Sequence, residues 1–386
     1  MTIVFQREQH LDCFRLSAFL FGPRMTGKTT LLDKIKRNLT INLLDPEEEL
    51  NYRQTPRLFW EKLKALPKKS VVVLDEVQRV PTLLDYVQMG IDQLGHRFFL
   101  SGSSARKLKR GSANLLGGRA INLRLHALSV QEIGNFFDIS KALSFGTLPH
   151  IYKLIIQNQE KSARDYLKSY VTIYIKEEIQ AEALTRNLAA FQRFLPVAAQ
   201  SNAQIIEYAN ISRECSIPMS TVKEYYQILE DTLVGEFLWP YDRNERKKAR
   251  PKFYFFDCGV VRALQNRLND FPTPSEKGFL FENWFFRELV RIRDYTKKED
   301  EIALWRSGIH EIDFIIKRKN KMIMAIECKT SQDIPSLSTR RAFHKQFPKT
   351  PLVVASLTDS HPRKMDDLTI LPWMDVLDSY RMQSKT

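Results

Sequence analysis

Ala18-Phe19-Leu20-Phe21-Gly22-Pro23-Arg24-Met25-Thr26-Gly27-Lys28-Thr29-Thr30-Leu31-Leu32 opens as an apolar run, breaks at glycine and resumes with helical periodicity. The spacing of Gly22, four residues and Gly27-Lys28-Thr29 predicts a strand, a phosphate-binding loop and a helix, because glycine lets backbone N–H groups close around an anion. Gly22, Pro23, Arg24, Met25, Thr26, Gly27, Lys28, Thr29 and Thr30 are therefore the candidate nucleotide-binding residues. Lys28 is expected to reach the β- and γ-phosphates, and the Thr29 hydroxyl to ligate the bridging Mg²⁺. The expected ligands are ATP and Mg²⁺.

Working outward, Leu31 to Arg37 continue the helical pattern, and Ile41-Asn42-Leu43-Leu44-Asp45-Pro46 reads as a strand stopped by proline. Ser70-Val71-Val72-Val73-Leu74-Asp75-Glu76 is a β-branched run ending in two acids, the form of a parallel strand buried on both faces. Ligands sit at the carboxyl ends of strands in open α/β sheets. That assigns Asp75 to the metal and Glu76 to orienting and deprotonating the attacking water. A further strand, from Arg97, ends in Ser101-Gly102-Ser103-Ser104, and Ser103 is the candidate contact to the γ-phosphate or the water. Arg119, behind Gly117-Gly118, is the candidate arginine finger, acting in cis or in trans.

The chain has 386 residues, 43% hydrophobic and 11% aromatic, enough for two or three domains with ordinary cores. Lys plus Arg exceed Asp plus Glu by 59 to 45, and the net +14 suits a polyanionic partner such as nucleic acid. Cys13, Cys215, Cys258 and Cys328 stand far apart, without the spacing of a zinc site or a disulfide framework, which fits a reducing cytoplasm. No run has the length of a membrane span and the N-terminus lacks the apolar core of a signal peptide, so no membrane partner is expected.

Four regions are expected: an ATPase core over 1–127, a helical connector over 128–187, a winged-helix domain over 188–256 and a last α/β domain over 257–386. In the connector, Tyr166, Tyr170, Ile173 and Tyr174 form one stripe, expected to pack in the core. Three helices follow, the third from Thr221 with Val222, Tyr226, Leu229 and Leu233 on one face. The basic run from Arg243 to Lys252 would be the wing. The outward face of the third helix (Lys223, Glu224, Gln227, Glu230, Asp231) is net negative and repels phosphates. DNA, if bound, would be gripped by the wing and the C-terminal domain; a protein partner is the other expectation.

Glu311 to Lys317 and Met322 to Lys329 read as a hairpin of alternating strands. A loop centred on Asn320 sets Asp313 opposite Glu327, with Lys329 on the same face. Two carboxylates and an amine so placed suit divalent-metal hydrolysis, with Asp313 and Glu327 as ligands and Lys329 positioning water or phosphate. This constellation resembles the PD-(D/E)XK nuclease motif. The resemblance makes Gly278 to Phe285 that fold's first helix and Glu282 its helical acid, a further metal ligand.

The loop from Gly22, Leu74-Asp75-Glu76-Val77-Gln78, Leu100-Ser101-Gly102-Ser103-Ser104, Gly118-Arg119, Gly146-Thr147-Leu148-Pro149, Lys252 to Gly259 and Glu311-Ile312-Asp313-Phe314 together resemble the bacterial and archaeal AAA-type ATPases (AAA_14) with a C-terminal DUF4143 region. The resemblance spans nearly the whole chain and implies a P-loop ATPase with a winged helix and a nuclease-like fold behind it. His126-Ala127-Leu128-Ser129 lacks the family's proline, and Gly146-Thr147 replaces a glycine pair. The expected function is Mg-dependent ATP hydrolysis, with Lys28 and Glu76 catalytic, coupled to the C-terminal modules. The rivals are an ATP-regulated metal-dependent DNA nuclease and a non-hydrolysing, ATP-switched adaptor for a protein. Oligomeric state is not legible.

Overall fold

The computed structural model describes residues 4–11, 14–102, 116–174, 187–241 and 250–383. Five parallel strands, β1 (Ser17–Phe21), β2 (Leu39–Asn42), β3 (Val71–Asp75), β4 (Arg97–Gly102) and β5 (Ala120–Arg124), form a sheet in the order β2-β3-β4-β1-β5. Every residue of β1 is buried because helices cover both faces, as its unbroken apolar pattern requires. Alternate residues feed two cores: Phe19, Phe21, Leu74 and Phe98 on one face, Ala18, Leu20, Val73 and Phe99 on the other. With β4 inserted between β1 and β3, the loop after β1 and the acids after β3 converge over the end of β4.

The helix after the loop is shorter than its pattern predicts, ending at Leu32. Asp33 N–H closes onto Thr29 O at 2.8 Å, and the Arg37 guanidinium donates to the carbonyls of Leu32, Asp33 and Ile35 that the early stop leaves open. The chain then turns into β2.

Short helices from Val130 to Ser169 and a π-helical turn at Tyr170–Tyr174 make the connector. The predicted stripe does not pack as one face: Tyr170 is buried, whereas Tyr166 and Ile173 are exposed. A π turn shifts the residues after it around the axis, so Ile173 loses the register read at 3.6 residues per turn, while Tyr166, before the turn, sets its ring edge-on to His150 at 4.6 Å. Helices Leu188–Gln200, Tyr208–Cys215 and Met219–Asp231 follow, then an antiparallel pair, β6 (Gly235–Leu238) and β7 (Lys252–Phe255). Val222, Tyr226 and Leu229 are buried as read; Leu233 packs instead on the core of the first sheet.

The 22-residue helix Pro274–Tyr295 leads into a six-stranded mixed sheet: β8 (Asp300–Ser307), β9 (His310–Arg318), β10 (Lys321–Lys329), β11 (Leu352–Ser356), β12 (Arg363–Lys364) and β13 (Thr369–Pro372), in the order β12-β13-β11-β10-β9-β8. The β9–β10 turn is Lys319-Asn320, centred half a residue before Asn320, with Lys319 at φ +54°. An irregularity between Met322 and Met324 restores the difference, so Ile326 pairs with Phe314 and the continued register sets Asp313 opposite Glu327. Among the described residues no helix is long and apolar enough to cross a membrane.

Candidate nucleotide site and carboxylate cluster

Two glycines shape the loop. A side chain at Gly22 would run into the Leu125 carbonyl, and Gly27 sits at φ +91° before the helix. Lys28, buried, donates from Nζ to Gly22 O at 2.8 Å and Pro23 O at 3.1 Å, folding the ammonium into the loop's own concavity. Thr29 Oγ1 donates to Asp75 Oδ2 at 2.6 Å. The loop hydroxyl and the strand-end carboxylate thus meet at one point, two hard oxygens as Mg²⁺ prefers.

Behind them lies a residue the sequence reading passed over. Ser101, at the end of β4, donates to Asp75 Oδ1 and accepts the Glu76 N–H at 3.0 Å. Glu76 is held in the left-handed region (φ +59°), and its Oε2 accepts from Gln78 Nε2. The predicted sensor, Ser103, falls outside the described residues. Ser101 carries the same signal, a hydroxyl at a strand end, but two residues earlier.

Arg119 does not serve this site within its own chain. Ala120 is in register with Ser17, at the amino end of β1, whereas the loop leaves the carboxyl end; four strand steps separate the two, about 13 Å. Arg119 is half-exposed and pairs with Asp92 at 2.7 Å, on the helix Leu83–Leu94. The cis finger is therefore corrected; a trans contact needs a second subunit.

Arg7, which belongs to no motif, ties the loop to the rest. Its guanidinium donates to Thr26 O (2.5 Å), His126 O (2.6 Å), Glu132 Oε1 (2.8 Å) and Tyr295 Oη (3.3 Å), all on a buried side chain. Tyr170 Oη adds a bond to Arg24 O at 3.3 Å. His126 sits in the same seam. Burial pushes its pKa down to about 4, so the neutral ring donates Nε2–H to Asp294 at 2.8 Å and accepts from Arg287 at Nδ1, 3.2 Å. Thr147, the other departure from the family pattern, donates its N–H to Asp257 at 2.7 Å and accepts from Arg291 at 3.3 Å. Both departures make bonds to segments distant in the chain.

In the C-terminal sheet Asp313 and Glu327 are buried, Glu282 reaches them half-buried from the helix Pro274–Tyr295, and Lys329 donates to Glu327 Oε1 at 2.8 Å. Asp313 Oδ2 accepts Cys328 N–H at 2.9 Å, and Asp313 N–H donates to Glu327 Oε2 at 3.3 Å. Lys252, read as the last residue of the basic wing, is instead buried here. Its Nζ lies 2.7 Å from Glu282, 2.8 Å from Glu311 and 3.3 Å from Asp313. A lysine within a basic run reads as surface; its β7 position turns this one inward. The run's residues 243–249 lie outside the described residues. Burial, then the Asp313 charge, raise Glu282 to about 7 and Glu327 to about 8. Burial opposes the Lys252 charge, but Glu282, Tyr254, Asp313 and Glu311 overcome it and hold its pKa well above the ordinary value. Among the described residues no group of three or more His, Cys, Asp or Glu could hold a metal ion, which corrects the expected triad. The acids come together; the metal place does not form.

Residues 15–134 match the family described as AAA domain (AAA_14), residues 137–270 a domain of unknown function (DUF8612) and residues 277–375 a domain of unknown function (DUF4143). The chain thus carries an AAA_14 domain followed by a DUF4143 domain, as the sequence resemblance implied. An uncharacterized protein of Mycobacterium tuberculosis is 25% identical over 249 residues, 64% of this chain and 55% of that protein; the chain thus spans little over half of that relative's length. An uncharacterized protein of Methanocaldococcus jannaschii is 24% identical over 345 residues, 80% of this chain and 73% of its own. Among solved structures, the ORC1 protein of Aeropyrum pernix in complex with DNA covers 66% of this chain and 86% of its own at 11% identity, with a TM-score of 0.32, too distant to carry an argument.

Proposed function

We propose that the chain binds Mg-ATP at the loop 22–30 and hydrolyses it, passing the nucleotide state to the C-terminal modules. The observation that carries this reading is the meeting of Thr29 and Asp75 at 2.6 Å beside the loop that holds Lys28. Magnesium, held by these two oxygens, would neutralise charge on the transferred phosphoryl group. Lys28 exchanges its two carbonyl acceptors for phosphate oxygens, a stronger charge-assisted pairing. Ser101 fixes Asp75, and Glu76, released from Gln78, takes the proton of the attacking water. Arg7 reports the loop's position to Tyr295 and His126, so a nucleotide that shifts Thr26 shifts the base of the long helix.

Three helices and the β6–β7 hairpin support a winged-helix reading of residues 188–256, and the six-stranded sheet with its preceding helix a nuclease-like one of 257–386. These modules are the candidate partner-binding region. The net +14 favours DNA, gripped by the basic segment 243–250, while the acidic face of Met219–Asp231 favours a protein. Lys252 among the carboxylates speaks against the nuclease rival.

Equilibrium binding of a fluorescent ATP analogue, measured beside steady-state phosphate release, tests the reading. Wild type should bind and turn over, Lys28→Ala should do neither, and Glu76→Gln should bind without turnover. Binding with no turnover by wild type would reject hydrolysis and leave the ATP-switched adaptor.

A further inference from the structure

The Lys252 ammonium carries three N–H donors, and three carboxylates from two elements stand within 2.7–3.3 Å of it: Glu282, Glu311 and Asp313. Glu282 comes from the long helix and the other two from β9, while Lys252 belongs to β7, outside that sheet. Tyr254, two residues on and therefore on the same face of β7, donates to Glu282 Oε1 at 2.6 Å. The Lys252 side chain is only 5% exposed.

We infer that the Lys252 ammonium is the resident cation of this cluster, standing where a divalent metal would have to bind, so that the C-terminal domain is a metal-free module pinned to the β6–β7 hairpin. The separations fit an ammonium, since Mg²⁺ needs its oxygens at about 2.0–2.1 Å in a near-octahedral set. The other oxygen of Asp313 and both oxygens of Glu327 already accept hydrogen bonds. Asp313 Oδ2 takes the Cys328 N–H, Glu327 Oε1 takes Lys329, and Glu327 Oε2 takes the Asp313 N–H. The strand that carries the ammonium is held by its rings: Tyr254 lies on Phe286 at 4.4 Å between ring centroids, and Phe253 packs on Tyr226 at 5.0 Å. Admitting a metal means displacing the ammonium from its three carboxylates. This inference concerns the C-terminal domain alone and stands independently of ATP hydrolysis.

Mn²⁺ binding, followed by electron paramagnetic resonance on the full chain without nucleotide, tests it on wild type, Asp313→Asn, Lys252→Ala and the Lys252→Ala/Asp313→Asn double variant. Wild type and Asp313→Asn should bind Mn²⁺ alike. Lys252→Ala should gain one site, and the double variant should lose it again. A site in wild type that Asp313→Asn removes would overturn the inference, as would a folded Lys252→Ala that gains none. If Lys252→Ala does not fold, the pair of wild type and Asp313→Asn still decides.

Discussion

The nucleotide loop and the carboxylate cluster are built from the same residue types, a lysine and buried acids, and they treat a cation in opposite ways. At the loop, Lys28 is parked on two backbone carbonyls and the oxygens of Thr29 and Asp75 meet with no ammonium between them. At the cluster, Lys252 stands among the carboxylates itself. On the proposed reading the first site receives a charged ligand, whereas the second already holds a cation from within the chain. Residue composition alone therefore does not make a metal site; what decides is whether a side chain from elsewhere reaches the cation's place first.

The sharpest way to break this contrast is at Glu76. Glu76→Gln should lower ATP turnover by about 10²–10⁴-fold while keeping nucleotide affinity, because only proton transfer is removed. Loss of affinity instead would make Glu76 a binding residue. At the other site the expected effect is on stability. Lys252→Ala leaves buried carboxylates without their counter-charge and should cost about 3–5 kcal/mol in denaturant unfolding, whereas Lys252→Met, which keeps the stem, should cost less. A neutral Lys252→Ala would mean that the cluster is solvated and the ammonium dispensable.

Between the two regions lies His126, and pH sharpens the comparison there. Its pKa is near 6.5 in the unfolded chain and about 4 in the folded one, so the folded state binds fewer protons. The stability it contributes is fully present above pH 6.5 and is lost as pH falls towards 4, about 3 kcal/mol in all. Denaturant midpoints from pH 7 to 4 should fall less steeply in His126→Gln; an unchanged slope would place the acid sensitivity elsewhere. The smallest effect belongs to Arg119. Arg119→Ala should leave stability and turnover of the isolated chain unchanged, and a drop in turnover that scales with protein concentration would reveal a contact in trans.

The sequence carried the convergence of the proposed nucleotide site, the Lys28 loop with Thr29 and Asp75, because loop, lysine, hydroxyl and strand-end acids are read within two contiguous stretches whose geometry is local. It also carried the facing of Asp313 and Glu327, although the centre of the turn was misplaced and the irregularity near Ile323 made up the difference. Lys252, Arg7 and Ser101 were missed for one physical reason: each acts by meeting residues distant in the chain. Arg7 joins Thr26, His126, Glu132 and Tyr295, a convergence that only tertiary packing creates. Lys252 looked like the last charge of a basic run, and pairing two strands turned it inward. Arg119 erred the other way: a flexible glycine pair suggested reach, but parallel register put it on the far edge of the sheet.

The most direct test of the account is a count of Mn²⁺ bound per chain with and without a non-hydrolysable ATP analogue. The account predicts one Mn²⁺ taken up only with the nucleotide, abolished by Asp75→Asn and indifferent to Asp313→Asn. An ion bound without nucleotide and removed by Asp313→Asn would contradict it, and would move the metal chemistry of this protein from its first sheet to its last.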